Sequence, residues 1–254
     1  MHEIFLNAER LFYFGGFPLT NAFLLTCIVV AILAIGSVLI SKRLMLVPGG
    51  AQNIVELGVE SFLGLMESIF GSRREAENYF PFVATIFVFV LFSNWFGILP
   101  GVGSVGFFNA SHSEFIPLLR SPASDLNFTL ALAATTVIAT HVFGIRALGV
   151  GAHASKFFNF SSPVNFFIGI LEFVSEIAKI ISFSFRLFGN VFAGEVLLLV
   201  IAFLVPYAAP LPFLFLELFV GFIQAFVFAM LATVFTAVAI TGHGEHDEAH
   251  GKGH

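Results

Sequence analysis

Six ionisable residues lie within the two long hydrophobic stretches that cover residues 165–205 and 211–240. They are Glu172, Glu176, Lys179, Arg186, Glu195 and Glu217, and the amides of Asn190 and Gln224 accompany them. Ionisable side chains inside a membrane are costly and are generally functional, above all in ion and proton pathways. Carboxylates bind and release protons, whereas an arginine stays protonated at every relevant pH. These residue types therefore predict groups that relay protons around one permanent positive charge.

Helical spacing separates Arg186 from the acidic residues of its own helix. Glu172, Lys179 and Arg186 follow each other at intervals of seven residues and share one helix face. Glu195 lies nine residues beyond Arg186, which at about 100° per residue turns it to the opposite side. Glu176 stands three residues before Lys179 and is expected to pair with it. Arg186 is thus left without an obvious acidic partner on its own face, and we expect another subunit to supply one.

The carboxylates fall into two groups along the chain. Glu172 and Glu176 precede Arg186, whereas Glu195 and Glu217 follow it, toward the turn between the two hydrophobic stretches. Because position along a helix converts into depth in a membrane, the two groups are expected at different depths. The sequence therefore predicts two polar zones with the arginine between them.

The composition and hydropathy of the chain indicate an all-α integral membrane protein. Hydrophobic residues make up 58% of the sequence and charged residues only 11%, which is more apolar surface than a soluble domain of 254 residues can bury. We predict about five spanning helices, at residues 19–40, 81–99, 126–145, 165–205 and 211–240. The last two, about 60 Å and about 45 Å long, exceed a hydrocarbon layer of about 30 Å. We expect them to form a long, strongly tilted hairpin that turns at Pro206, Pro210 and Pro212.

Residues 53–70 show a different pattern, with polar and apolar side chains on opposite sides of a helix. Asn53, Glu56 and Glu60 recur at steps of three and four, while Val55 and Val59 begin the apolar side. This pattern predicts an amphipathic helix that lies in the membrane interface. We therefore divide the chain into a membrane domain, residues 1–241, and a disordered, histidine-rich cytoplasmic tail, residues 242–254.

The basic residues predict the orientation of the chain in the membrane. With five spans, one side carries Lys42, Arg43, Arg73, Arg74, Arg146, Lys156 and Lys252, and the other carries Arg10 and Arg120. Loops rich in lysine and arginine stay in the cytoplasm. We therefore expect the N-terminus outside and the C-terminus in the cytoplasm.

One run of twelve residues, SFRLFGNVFAGE from Ser184 to Glu195, closely resembles the signature of the ATP synthase a subunit. Four further stretches are similar to segments of that family: residues 93–100 (SNWFGILP), 124–129 (SDLNFT), 172–179 (EFVSEIAK) and 224–228 (QAFVF). The resemblance covers roughly residues 42–240. It leaves out the N-terminal stretch and the histidine-rich tail.

The resemblance implies a non-catalytic stator subunit of an F-type ATP synthase, in a bacterial-type inner membrane. Such a subunit moves protons through two offset half-channels beside a rotating ring, and couples the proton-motive force to ATP synthesis. The implied partners are the c-ring proteolipid, the b-subunit peripheral stalk, the remainder of the complex and membrane lipid. Arg186 matches the essential arginine that faces the ring carboxylate.

The resemblance also implies roles for the other polar residues. Those that match the outer half-channel are Glu195, Asn190, Glu217 and Gln224, with Asp125 as a further candidate at its entrance. Glu172, with Glu176 one turn later, matches the inner half-channel. Some relatives carry histidine where Glu217 stands, so this position accepts a different titratable group.

Two other functions are compatible with a polytopic membrane protein. A stand-alone secondary transporter of protons or cations would typically show repeated halves with broken helices, and the sequence has no convincing repeat. A non-transporting assembly protein would leave the arginine between carboxylates unexplained. The sequence carries no P-loop, no cofactor motif, no cysteine-based metal cluster and no nucleic-acid signature.

Overall fold

The computed structural model describes residues 9–14, 16–45, 49–103, 105–108, 115–157, 162–205 and 208–241 of the chain. Within these residues it has seven α-helices: α1 (Asn21–Ser41), α2 (Gly50–Phe70), α3 (Arg73–Ile98), α4 (Leu126–Leu148), α5 (Val150–Ala154), α6 (Pro163–Leu204) and α7 (Pro210–Ile240). Five of them, α1, α3, α4, α6 and α7, are long and apolar enough to cross a membrane. The prediction of an all-α membrane protein with five spanning helices is therefore confirmed.

Polar residues extend α3 beyond the apolar segment that hydropathy indicates. The predicted span begins at residue 81, whereas α3 begins at Arg73, so Pro81 lies inside the helix. The physical reason is that hydropathy indicates only the apolar segment that spans the lipid, whereas α3 begins two polar helical turns before that segment. The other predicted helices differ from the observed bounds by a few residues. Pro206 and the histidine-rich tail lie outside the described residues.

Short β-strands, which the sequence did not indicate, precede α1 and connect α3 to α4. Strands β1 (Arg10–Phe14) and β2 (Phe17–Thr20) form an antiparallel hairpin before α1. Between α3 and α4 lie β3 (Pro100–Gly103), β4 (Gly106–Phe108) and β5 (Phe115–Pro117), and β4 pairs with β5. The buried Asn21 at the start of α1 donates from Nδ2 to the Pro117 carbonyl at 3.2 Å, and so ties α1 to the second hairpin. Strands of three to five residues are too short for an alternating pattern to reveal them.

Local capping fixes where α4 and α6 begin. The Asp125 carboxylate accepts a hydrogen bond from the Asn127 amide at 3.0 Å, and the Ser162 hydroxyl accepts one from the Val164 amide at 3.3 Å. Each bond satisfies an amide that the helix itself leaves unpaired. Pro163 at the first position of α6 needs no amide partner there.

Two side chains of α3 hold α7 in place. Asn94 donates from Nδ2 to the Gly221 carbonyl, and Trp95 donates from Nε1 to the Leu218 carbonyl, both at 3.0 Å. The face of α7 that is buried consists largely of small residues: Gly221, Ala225, Ala229, Ala232, Thr233 and Thr236. Small side chains let membrane helices approach closely, which compensates for the weak hydrophobic force between helices in lipid.

Helix α6 packs with one face against α4 and α7. The Thr129 and Ser184 hydroxyls of α4 and α6 lie 3.0 Å apart, and the rings of Phe183 and Phe228 stack at 4.7 Å between α6 and α7. On the opposite face, Phe185 remains 55% exposed. Large apolar side chains on such a surface require lipid or another protein as their surroundings.

Helix α2 is attached to α3 by a cluster of charges at their junction. Arg73 binds Glu60 at 2.7 Å and Glu77 at 2.9 Å. The hydrogen bond from Arg73 lowers the pKa of the Glu60 carboxyl. Ile54 and Leu57 of α2 stay exposed, at 73% and 69%. An amphipathic helix with such an apolar surface suits the membrane interface, and this position remains a prediction.

Candidate functional site

Arg186 lies near the middle of α6, on the face that the described part of the chain leaves open. Its neighbours Phe183 and Leu187 are buried, at 3% and 0% exposure, whereas Arg186 itself is exposed. Among the described residues, no carboxylate forms an ion pair with the Arg186 guanidinium. Helical spacing led to the same expectation. A lone cation at this depth needs an anion from elsewhere.

A cavity of about 240 Å³ lies beside Arg186 along the open face of α6. Its polar lining consists of Arg186, Ser175, Lys179 and Ser182, and Phe235 of α7 closes one side. A cavity of this size has room for several water molecules, and hydroxyl and ammonium groups give water partners to bind. The cavity therefore connects Arg186 with the residues that precede it on α6.

Two of the predicted carboxylates, Glu195 of α6 and Glu217 of α7, meet beyond Arg186. A Cβ atom added to Gly194 would overlap with the Glu217 carboxylate, so that group lies directly against the α6 backbone. Glu217 is only 9% exposed. The charge of Glu217 acts on Glu195. The missing side chain at Gly194 therefore brings a carboxylate of α7 next to one of α6.

The amides of Asn190 and Gln224 join the same two helices. Asn190 donates from Nδ2 to Gln224 Oε1 at 2.7 Å. Asn190 lies one turn beyond Arg186 on α6, so this bond stands between the arginine and Glu195. The four residues that the resemblance assigned to the outer zone thus lie as two pairs along the contact between α6 and α7.

Arg120 and Ser124, from the segment before α4, complete the surroundings of Glu195. The Arg120 charge and the Ser124 hydroxyl both act on the Glu195 carboxylate, and Arg120 Nε donates to Ser124 Oγ at 3.2 Å. Asp125, the further candidate in this zone, is 7% exposed and caps α4. Its carboxylate also accepts from Asn127 Nδ2 at 3.2 Å.

Before Arg186, a chain of polar side chains runs from α6 through α4 to α5. Glu176 binds Lys179 Nζ through Oε1 at 2.6 Å, as its spacing predicted. Through Oε2 it contacts His141 Nε2 of α4 at 3.3 Å. His141 Nδ1 lies 3.1 Å from His153 Nε2 of α5. Four titratable side chains from three helices are therefore in contact.

A second, small cavity of about 20 Å³ lies among these groups. Glu172 and Lys156 line it together with the two histidines. Burial, reinforced by the charges of His141 and Lys156, lowers the pKa of His153. Burial also lowers the pKa of Lys156, against the opposing charges of Glu172 and Glu176. Both predicted inner-zone carboxylates therefore share one pocket with cations and imidazoles.

The sequence did not predict a place in the site for four of these polar neighbours: Arg120, Ser124, His141 and His153. A signal existed for His141, because it is an ionisable residue inside the predicted span 126–145. Arg120, Ser124 and His153 lie outside the spans, where neither hydropathy nor periodicity indicates which side chains turn inward. No group of three or more His, Cys, Asp or Glu side chains in the described ranges is arranged to hold a metal ion.

Fold and site together define a class of protein. It is a multi-pass helical membrane protein in which two clusters of ionisable groups flank an arginine that has no acidic partner among the described residues.

Comparison with known proteins identifies the family. The model of the family described as ATP synthase A chain matches residues 23–237, and this chain belongs to that family. The chain is 35% identical to ATP synthase subunit a of Moorella thermoacetica over 234 residues, which is 92% of this chain and 97% of that protein. It is 32% identical to ATP synthase subunit a of Campylobacter fetus, over 97% of this chain and the whole of that protein. With ATP synthase subunit a of Syntrophobacter fumaroxidans the identity is 38%, over 92% of this chain and 90% of that protein.

Proposed function

We propose that this chain is the stator subunit that conducts protons in the membrane sector of an F-type ATP synthase. The observation that supports this most strongly is Arg186. Its guanidinium is exposed at the middle of a spanning helix, with no acidic partner in the described part of the chain, and a carboxylate cluster lies on either side. Such an arrangement suits a surface that meets acidic groups of a moving partner.

The outer cluster serves as the proton entrance of this proposal. A proton arrives from outside at Glu195 and Glu217 and passes along the seam of α6 and α7. Asn190 and Gln224, joined at 2.7 Å, provide donors and acceptors between these carboxylates and the partner. Asp125 and Arg120 stand at the mouth of this path. The proton then neutralises a ring carboxylate, which can turn to face lipid.

The inner cluster serves as the exit. A ring carboxylate that arrives from the other side releases its proton into the cavity beside Arg186, which Lys179 and Ser175 also line. Glu176 and Glu172 lie next to that cavity and lead toward the cytoplasm. In this proposal the two paths stay separate, so each proton has to travel with the ring.

Arg186 keeps the two paths separate. At about 4 Å and an effective dielectric constant of about 20, a unit charge pair gains roughly 4 kcal/mol. That is enough to hold an arriving ring carboxylate ionised, and small enough for the pair to separate. The membrane potential supplies about 2.3 kcal/mol per charge per 100 mV. Because arginine does not release its proton, it blocks a direct leak.

The partners and the location follow from the same proposal. The relatives are named as subunits of ATP synthase, which supports assembly of this chain with an F-type complex. We assign the open face of α6 to the c-ring proteolipid and place the b-subunit peripheral stalk elsewhere on the stator. The membrane is a bacterial-type inner membrane, with the N-terminus outside and the C-terminus in the cytoplasm. The chain itself is non-catalytic, and ATP chemistry belongs to its partners.

Substitution of Arg186 tests this proposal. In inverted vesicles that hold the complex, Arg186→Ala is expected to abolish ATP-driven proton uptake, measured by quenching of a pH-sensitive dye. Arg74→Ala removes an exposed cation at the start of α3 and is expected to leave uptake unchanged. Glu195→Gln is expected to slow uptake while the complex still assembles. Normal uptake with Arg186→Ala would refute the proposal, and proton exchange by the purified chain alone would favour a stand-alone transporter.

A further inference from the structure

The two histidines of the inner cluster form a continuous contact from Glu176 to the edge of the helix bundle. Glu176 Oε2 lies 3.3 Å from His141 Nε2, and His141 Nδ1 lies 3.1 Å from His153 Nε2. His141 uses both of its nitrogens in this chain. No part of the function proposed above requires either histidine.

The chemistry of the partners determines where the imidazole protons lie. The Glu176 carboxylate accepts, so a neutral His141 carries its proton on Nε2 and presents a lone pair at Nδ1. His153 then donates from Nε2, and its own Nδ1 carries a lone pair. His153 is 6% exposed, and its Nδ1 is buried without a hydrogen-bond partner among the described residues. Burial lowers the pKa of His153 and so favours the neutral form that this order needs.

The His153 ring reaches this position because Gly144 leaves space for it. A Cβ atom at Gly144 would lie 2.7 Å from His153 Cε1 and 2.8 Å from His153 Nδ1. The adjoining cavity of about 20 Å³ has room for about one water molecule beside these groups. The His153 ring therefore lines the polar pocket at the end of α4, and its unpaired nitrogen lies beside Gly144.

Two other roles fit the same contacts less well. A metal ion would need several of these side chains around one point, and no such group exists among the described residues. A purely structural contact would not require a buried nitrogen that lacks a partner, since an unsatisfied polar atom costs about 1–3 kcal/mol.

We propose that His141 and His153 relay protons between the pocket at α5 and Glu176, and so extend the inner half-channel to the cytoplasmic surface. This inference rests on the function proposed above, and assigns that half-channel two carriers that lie on α4 and α5 rather than on α6. In the pumping direction, water delivers a proton to His153 Nδ1. The Nε2 proton of His153 moves to His141 Nδ1, and the Nε2 proton of His141 moves to Glu176 Oε2. One proton enters and one reaches Glu176, which leaves each imidazole with its proton on Nδ1. Exchange with water, which removes the Nδ1 proton and returns one proton to Nε2, restores the first tautomer.

Several charged groups face the relay, and they determine its response to pH. On α6 these are Glu172, Glu176 and Lys179, and after α5 comes Lys156. Helix α7 contributes Phe235, Val238 and Ala239 to the pocket, none of which titrates. Protons are scarce when the cytoplasmic side is alkaline, so a relay that hands each available proton on to Glu176 matters most there.

The test uses the whole complex in inverted vesicles, whose cytoplasmic face is open to the buffer. ATP-driven proton uptake is followed as the external pH is raised from about 6 to about 8.5, across the titration range of imidazole. Because water replaces part of a lost relay, we expect His141→Gln and His153→Gln to slow uptake roughly tenfold at the alkaline end and much less at the acid end. The double variant should be no slower than either single one, and added imidazole should restore uptake in His153→Ala.

The controls separate this inference from the proposed function. Thr135→Val removes a hydroxyl from the exposed face of α4 and should keep the normal rate and pH profile. An unchanged profile in both histidine variants, with uptake still lost in Arg186→Ala, overturns the relay and leaves the proposed function intact. Uptake that falls equally at every pH, falls additively in the double variant and is not restored by imidazole would mean a structural role. This result also overturns the relay. Should His141→Gln fail to assemble, His153→Gln carries the test alone.

Discussion

Single residues divide the polar interior of this chain into two chemically different environments. The inner cluster pairs carboxylates with Lys179 and imidazoles, whereas the outer cluster places Glu195 beside Glu217 and the Arg120 charge. The difference follows from the helices involved, because the inner cluster joins α6 to α4 and α5 while the outer one joins α6 to α7. In the proposed function, proton release and proton entry therefore have separate sets of partners.

The position of Glu217 depends on the missing side chain at Gly194. A methyl group there would overlap with the carboxylate and force it to move. Because a displacement of about 1 Å can cost roughly a hundredfold in rate, Gly194→Ala is expected to slow proton uptake by tenfold or more. ATP-driven uptake, normalised to the amount of assembled complex, measures the effect. Gly36→Ala on α1, where nothing lies within 4 Å of the new methyl group, is the matched control. A normal rate in Gly194→Ala would contradict the proposed role of Glu217.

Most of the single residues in the candidate site could be predicted from the sequence, for a simple reason. An ionisable residue in a hydrophobic segment is recognisable without any structure, which is how Arg186, Glu195 and Glu217 were found. Two of the surrounding residues were not recognisable, because Arg120, which acts on Glu195, and His153, which contacts His141, come from connecting segments. Which connecting residue folds inward is decided by tertiary packing, such as the close approach of His153 to Gly144.

Among the helices, the contact between α3 and α7 is made by side chains of the resembling stretch 93–100. Asn94 and Trp95 donate to carbonyls of α7 at Gly221 and Leu218, immediately after Glu217. The residues that hold α7 therefore also hold the carboxylate that α7 presents. Hydropathy predicted both helices, but it carries no information on these cross-links.

Removal of one of these bonds tests the role of the contact. Trp95→Phe keeps an aromatic ring but loses the bond to the Leu218 carbonyl. Hydrogen bonds between membrane helices contribute about 0.6 kcal/mol and those of soluble proteins about 1 kcal/mol, so a loss of stability in this range is expected. Unfolding of the purified chain by SDS measures it, with Phe219→Leu on the exposed side of α7 as the unchanged control. Equal stability of Trp95→Phe and the original chain would mean that the bond does not hold α7.

Elements differ in how far the sequence reveals them. The five spans follow from apolar length, and α2 follows from its two-sided pattern. The start of α3 at Arg73 and the strands β1 to β5 do not follow, because polar helical turns and strands of three to five residues leave no periodic signal. Tertiary contacts, such as the bond from Asn21 to the Pro117 carbonyl, stabilise these short elements instead.

For the whole molecule, the basic loops predict its orientation across the membrane. In a Cys27→Ser background, Ser155→Cys after α5 and Arg10→Cys in β1 place thiols at the two predicted sides, and both positions are exposed. We expect a membrane-impermeant maleimide to label Ser155→Cys in inverted vesicles and Arg10→Cys in right-side-out vesicles. The opposite labelling would reverse the assignment of the two half-channels.

The open face of α6 is the feature of the whole molecule on which its proposed role depends. Phe185 is 55% exposed beside Arg186, and the described chain provides no carboxylate for that arginine. In the proposed function, a complete proton path requires a second subunit that brings acidic groups to this face. We expect this partner to be a small proteolipid with a carboxylate in its membrane segment.

Photo-crosslinking from this face shows which molecule covers Arg186 in the assembled complex. Phe185→Cys, in the Cys27→Ser background and modified with a benzophenone maleimide, is illuminated in the assembled complex, and the product is identified by mass spectrometry. Ile35→Cys on the exposed side of α1, at 61% exposure, serves as the matched control. We expect position 185, but not position 35, to capture a proteolipid peptide that contains a membrane-embedded Asp or Glu. Capture of only lipid, or only of this same chain, from position 185 would contradict this expectation.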